Sequence, residues 1–262
     1  MMILSFQNPF VKKLVGLRDS KHRREEQLTI IDGLREVTRA IEGGAHIEHI
    51  VFCPDMLKTK LNFKDLDMVE VSQGVFEKVG FGDRKDGVLA VAKYPEKTLA
   101  DLKVPKNPLI VIIESVEKPG NLGAIMRTCD SAGANALIVA DPKTDIYNPN
   151  VIRASVSTVF SLPVVAASNE EILAFLKQHQ IKTVGAVVDA KNIYTDVNLK
   201  SPIGIVLGSE DKGLSDFWQK HCDMQVKIPM KGLSDSLNVS VCAAVMIFEA
   251  IRQTCLPDRQ GQ

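Results

Sequence analysis

The residues best suited to chemistry in this chain fall in three short loops, each placed at the end of an apolar run. The first is Glu117-Lys118-Pro119-Gly120-Asn121-Leu122-Gly123-Ala124-Ile125-Met126-Arg127, and the second is Leu207-Gly208-Ser209-Glu210-Asp211-Lys212-Gly213-Leu214. The third reads VKIPMKGLSDSLNVS from Val226 to Ser240 and runs into the apolar segment VCAAVMIFEAI. Between them they supply glycine, a carboxylate (Glu210), two amides (Asn121 and Asn238), a hydroxyl (Ser236) and a guanidinium (Arg127). Each loop alone has a plainer explanation. Asn121 and Asn238 sit where helix caps belong, acids ahead of a helix offset its dipole, and Arg127 lies near Asp130 at ion-pair spacing. The absent patterns narrow the chemistry: there is no GxGxxG followed by a ribose-binding acid, no GxxxxGK[ST] phosphate loop, and no GxSxG elbow. No metal-ligand cluster is visible either.

The elements that must position these loops alternate strongly. LIVIIES, ALIVA, LPVVAA, KTVGAVV, IGIVLGSE and MQVKIPM read as strands whose apolar residues are continuous rather than alternating. Helices between them, including NLGAIMRTCDSAG, NPNVIRASVSTVF, NEEILAFLKQHQ and LSDFWQKH, predict an α/β fold with a mostly parallel sheet covered on both faces. A last helix is expected from about Asn238 to Gln253, with Val241, Val245, Phe248 and Ile251 at helical spacing. In such sheets ligands lie outside the carboxyl ends of the strands, where these three loops fall.

Ahead of this region stands a smaller α/β pattern. LTIIDGLREVTRAIEGG reads as a strand and a helix with apolar face Leu34, Val37 and Ile41, stopped at Gly43–Gly44; IEHIVFCP, MVEVSQGVFEKVG and VLAVAKYP continue it. Residues 1–24 hold Lys12, Lys13, Arg18, Lys21, Arg23 and Arg24 against the single acid Asp19, and Phe10, Leu14 and Leu17 imply a helix with a basic face. That face is either a solvated surface or a contact for an anionic partner. Residues 95–108, rich in proline and lysine, read as a linker. The expected division is 1–94, linker 95–108, and 109–262.

Composition sets the bounds. The 262 residues are 45% hydrophobic and 24% charged with formal net charge +0, an ordinary globular balance that argues against nucleic-acid binding by bulk charge alone. Five cysteines without a CxxC pair (Cys53, Cys129, Cys222, Cys242, Cys255) predict reduced, mostly buried thiols in a cytoplasmic protein. No apolar run reaches membrane-spanning length and the first residues lack a signal-peptide layout, so no membrane partner is expected.

Taken together and in order, the three loops resemble the motifs of the SpoU (TrmH-like) RNA ribose 2′-O-methyltransferases of the SPOUT superfamily. The matching patterns are ExVxxPxNxGAIxRT at Glu114–Thr128, LGSExxGL at Leu207–Leu214 and IPMxGxxxSLNVSVxAA at Ile228–Ala244. Residues 5–92 look like the small ribosomal-protein-like α/β domain that binds RNA substrate in this family. Two positions depart from it: Ser157 stands where many relatives have glycine, and Ser234 where a small apolar residue is usual. The resemblance implies a C-terminal trefoil-knotted SPOUT domain, a homodimer, and S-adenosyl-L-methionine-dependent 2′-O-methylation of structured RNA, most readily ribosomal RNA. It implies catalytic roles for Asn121, Arg127, Glu210, Ser236 and Asn238, and cofactor binding by Leu207, Gly208, Ile228, Met230, Ser236 and Leu237, with no metal. A silent RNA-binding or ribosome-assembly protein, and tRNA as substrate, are the alternatives.

Overall fold

The apolar runs become strands of two separate sheets, in a computed structural model that describes residues 2–63, 65–81 and 86–255. In chain order the first elements are α1 (Pro9–Gly16), α2 (Ser20–Glu26), β1 (Leu28–Asp32), α3 (Leu34–Glu42), β2 (Ile47–Phe52), β3 (Met68–Glu70), α4 (Gln73–Val79) and β4 (Val88–Lys93). There follow β5 (Leu109–Glu114), α5 (Pro119–Ala132), β6 (Ala136–Ala140), α6 (Pro149–Ser155), β7 (Val164–Ala167), α7 (Asn169–Gln178) and β8 (Lys182–Ala186). The chain continues through β9 (Asn192–Ile193), β10 (Ile203–Leu207), α8 (Asp216–His221), β11 (Met224–Lys227) and α9 (Val239–Cys255). Residues 256–262 of the expected C-terminal domain lie outside the described residues. The chain divides into one unit of Met1–Glu96 with Asp145–Ser161 and another of Lys97–Thr144 with Leu162–Gln262.

The first unit carries a four-stranded mixed sheet in the order β1-β4-β2-β3, antiparallel except for β2 against β3. Side chains alternate across it as a pleated strand requires. Leu28, Ile30, Leu89 and Val91 pack with Val11, Leu14, Leu17, Val75 and Phe76 of the α1 and α4 region. Thr29 points the other way and donates to the Tyr147 carbonyl at 2.7 Å, so the segment around α6 covers that side. NPNVIRASVSTVF is therefore helical only at its start. It leaves the helix at Val156 and Ser157, both at positive φ (55° and 65°), and Ser157 donates to the Glu36 carbonyl at 2.7 Å. The α3 face also differs from expectation: Glu36, Val37 and Ala40 are its buried residues, while Leu34 and Ile41 are half-buried.

The basic run of residues 12–24 is not a free row of cations. It forms two short helices, with Asn8 and Asp19 accepting backbone N–H groups at their starts. Arg23 is 1% exposed; its Nε and Nη2 donate to Asp145 Oδ2 at 2.8 and 2.5 Å, and its Nη1 to the Leu17 and Arg18 carbonyls. Tyr94 donates its hydroxyl to the other oxygen of Asp145 at 2.8 Å. Arg18 donates to the carbonyls of Lys78 and Gly80, Lys13 pairs with Glu26, and Lys21 lies 3.8 Å from Glu25. Acids beyond residue 24 and carbonyls at the end of α4 occupy charges that the local sequence leaves open.

The second unit carries a seven-stranded sheet in the order β7-β6-β5-β10-β8-β11-β9, parallel at every pairing. Ile110, Ile112, Ile138 and Val206 meet Ile172, Phe175 and Leu176 of α7 and Trp218 of α8 on one face. The paired helices α5 and α9 lie against β6 and β10, and Leu122, Ile125 and Met126 of α5 are buried without joining that first cluster. Most of the stretch read as a linker belongs to this unit, since Leu99, Leu102 and Val104 pack against its core. From β5 the chain runs outward through β6 to β7, whereas β10, β8 and β11 lie on the other side. The order reverses between β5 and β10, and that switch opens a crevice at the strand carboxyl ends.

Candidate functional site

All three loops meet at this end of the second unit. Leu207 closes β10 in register with Ile113 of β5, and the next residues fold back on themselves. Ser209 and Gly213 exchange backbone hydrogen bonds of 3.1 and 3.0 Å, with Gly213 at φ 65°. This pinch needs Gly208, because a Cβ there would fall 2.0 Å from the Gly213 carbonyl carbon. Only a residue without a side chain permits so close a backbone approach.

A chain of hydrogen bonds ties the loops together. Asn121 Nδ2 donates to Glu210 Oε1 at 2.5 Å, and Asn238 Nδ2 donates to Asn121 Oδ1 at 3.2 Å. Asn238 Oδ1 in turn accepts from the Ser240 backbone N–H at 2.9 Å and from its hydroxyl at 2.6 Å. Asn238 thus caps α9, as its place in the sequence suggests, while its amide reaches across to α5. Asn121 does not cap α5. That helix begins at Pro119 after Lys118, so Asn121 lies in the first turn with its side chain free to bridge Glu210 and Asn238. Thr144 donates to the Glu117 carbonyl, anchoring the loop that leads into α5.

Beside this chain lies a cavity of about 1080 Å³ walled by the segments after β8, β10 and β11. Leu207, Ile228, Met230, Leu237 and Val187 give it apolar walls, and Gly208, Ser209 and Ser236 line it as well. Four carboxylates (Asp189, Glu210, Asp211, Asp235) against two lysines (Lys212, Lys227) also line it. The balance favours a ligand carrying positive charge. A smaller cavity of about 230 Å³ lies at Lys182 and Thr183, at the opposite end of β8 and away from the loops. Cys242 lines the large cavity, but burial pushes its thiol up to about 11; burial likewise raises Cys129 and Cys222 to about 12. These thiols stay protonated at neutral pH and are poor nucleophiles. Among the described residues no cluster of His, Cys, Asp and Glu is arranged to hold a metal.

The structure sorts the residues singled out by sequence into three groups. Leu207, Gly208, Glu210, Ile228, Met230, Ser236 and Leu237 line the cavity. Asn121 and Asn238 join its edge through Glu210, and Arg127 stands apart, exposed on α5 about 9 Å along the axis from Asn121. Of the two departures, Ser157 lies in the first unit and Ser234 lines the cavity, donating to the Ser236 carbonyl at 2.8 Å. Sequence reasoning missed Ser240 as a member of the hydrogen-bonded chain, although its place two residues after a capping Asn is a usable signal. It also missed Asp189, which no local pattern marks.

The chain has relatives among known proteins. A family model described as the SpoU rRNA Methylase family matches residues 108–248, and one described as an MRM3-like substrate binding domain matches residues 8–90. The chain is 30% identical over 252 residues to the 23S rRNA (uridine(2479)-2′-O)-methyltransferase of Streptomyces viridochromogenes, covering 92% of this chain and 87% of that protein. A crystal structure of an RNA 2′-O ribose methyltransferase is 40% identical, with TM-score 0.83 over 97% of this chain and 99% of the other. The AdoMet-bound rRNA methyltransferase from Sinorhizobium meliloti is 27% identical, with TM-score 0.87 over 98% of this chain and 99% of the other.

Proposed function

Because the chain belongs to the SpoU rRNA methylase family, we propose that it transfers a methyl group from S-adenosylmethionine to a ribose 2′-hydroxyl of ribosomal RNA. The observation that carries this reading is the Glu210–Asn121–Asn238 chain running along the edge of a large acidic cavity at the sheet's switch point. The cavity suits the methyl donor: its carboxylates complement a sulfonium and an ammonium, its apolar walls suit an adenine ring, and the Gly208–Gly213 pinch brings backbone groups to its surface. Leu207, Gly208, Ile228, Met230, Ser236 and Leu237 would hold the donor, which supplies an electrophilic methyl group on sulfur.

The chain's own residues then have to hold the ribose and manage its proton. Transfer would form an O–CH₃ bond and break the donor's S–CH₃ bond, leaving a neutral thioether, and the hydroxyl proton would pass to water. Asn121 and Asn238 supply amide groups and Ser236 a hydroxyl to orient the sugar, and Glu210 fixes Asn121. Arg127 acts as a fixed cation beside the 2′-oxygen and its neighbouring phosphate, favouring the alkoxide as it develops, because a guanidinium stays protonated. The first unit serves RNA binding, and the second, which includes most of residues 95–108, serves catalysis. The reading includes a trefoil knot in the C-terminal part, a cytoplasmic location and a homodimer. Support for pairing comes from α9, where Val241 and Phe248, each 48% exposed, flank the half-buried Val245 on one helix face beside α5. A large apolar stripe left open to water is the usual mark of an interface.

The deciding experiment maps 2′-O-methyl positions in the host's ribosomal RNA with and without this gene. One position should lose its methyl group in the deletion and regain it on complementation. An unchanged map would refute the substrate.

A further inference from the structure

Glu114 is the last residue of β5, 4% exposed, and its carboxylate is not among the residues that line the cavity. A buried carboxylate is costly unless its oxygens are hydrogen-bonded. Both are: Oε2 accepts the Ser215 backbone N–H at 2.8 Å and Oε1 accepts Asn169 Nδ2 at 3.2 Å. Asn169 is itself held, accepting from Trp218 Nε1 at 2.5 Å and donating to Asp141 Oδ2 at 2.5 Å. Ser215 is the first residue after the Leu207–Leu214 loop and the N-cap of α8. The other end of that loop, Leu207, is paired with Ile113, the residue before Glu114. The end of β5 therefore grips both ends of the loop, one by strand pairing and the other by a buried charge.

We propose that Glu114 is a positioning residue for methyl transfer, setting the exit of the Leu207–Leu214 loop so that Gly208 and Glu210 stand at the cavity and at Asn121. This rests on the functional reading above, and it assigns Glu114 no contact with donor or RNA. A carboxylate suits the task better than an amide. Ser215 N–H and Asn169 Nδ2 are both donors, and a glutamine offers one acceptor oxygen plus an NH₂ that would confront one of them. Losing a charge-assisted bond at the loop's exit loosens the loop while its entry stays paired.

The test uses the full chain. In the wild-type protein without ligand, the Ser215 amide should be protected from hydrogen exchange well beyond the Lys212 amide. Exchange at the rate of an unstructured chain would overturn the assignment without any variant. Calorimetry with S-adenosylmethionine then compares Glu114→Gln with the wild type. The dissociation constant should rise about tenfold, some 1.4 kcal/mol, while RNA affinity stays within twofold. Ser215→Pro removes the same N–H from the other side, at a backbone φ of −62° that proline accepts. If the shared contact carries the effect, the double variant loses clearly less than the sum of the two single losses. Unchanged affinity in both single variants, or strictly additive losses, would overturn the proposal. Should Glu114→Gln fail to fold, Ser215→Pro and the exchange of the Ser215 amide decide. A wild-type protein that binds no S-adenosylmethionine sinks the functional reading instead, and Ser215 exchange still reports on the contact.

Discussion

Asn121 is the hinge of the hydrogen-bonded chain, so Asn121→Ala should cut both of its links. The bond to Glu210 is charge-assisted, short at 2.5 Å and part-buried, which places it near the low end for such bonds, about 1.5 kcal/mol. The bond from Asn238 is neutral, exposed and 3.2 Å long, contributing about 0.5 kcal/mol. Together they come to about 2 kcal/mol, or about thirtyfold in kcat/KM if both persist in the transition state. The assay is incorporation of labelled methyl groups from S-adenosylmethionine into a ribosomal RNA transcript under kcat/KM conditions. Asn121→Asp is the sharper test, because it sets a second carboxylate against Glu210 and should lose more than the alanine variant. Adding Glu210→Gln to it restores a donor opposite an acceptor and should recover about tenfold or more relative to Asn121→Asp alone. A loss under about threefold for Asn121→Ala, or no recovery in the double variant, would refute the idea that this chain organises the site.

Arg127→Ala should abolish methyl transfer while leaving S-adenosylmethionine affinity nearly unchanged, since Arg127 lies away from the cavity; turnover above about a tenth of wild type, a loss under ~1.4 kcal/mol, would overturn its assignment. Gly208→Ala should weaken donor binding at least about tenfold in calorimetry, because its Cβ would fall 2.0 Å from the Gly213 carbonyl carbon and force the pinch open. Asp145→Asn should destabilise the first unit by about 3 kcal/mol, since it leaves the Arg23 guanidinium buried beside a neutral amide. The readout is exchange of the Ile31 amide, which faces Ala90 across the β1–β4 ladder, about 150-fold faster if opening becomes that much easier, with Trp218 fluorescence reporting the second unit separately.

The alternation of apolar strands and helices, the parallel character of the second sheet and the three loops at its strand ends were legible in the sequence. Each follows from patterns within some twenty residues: continuous apolar runs for strands buried on both faces, helical spacing for α9, and an Asn ahead of it as cap. The tertiary structure decided the pairings. Glu210 meets Asn121 across 89 positions, Ser215 meets Glu114 across 101, and Arg23 meets Asp145 across 122. Periodicity says which face of an element is buried but not which element it faces, and the strand order that brings these partners together is set by global packing. The same distance in sequence explains the misread charges. Arg23 looks like surface from its neighbours, and only the return of the chain at Asp145 makes it a buried ion pair that contributes to the fold of the first unit.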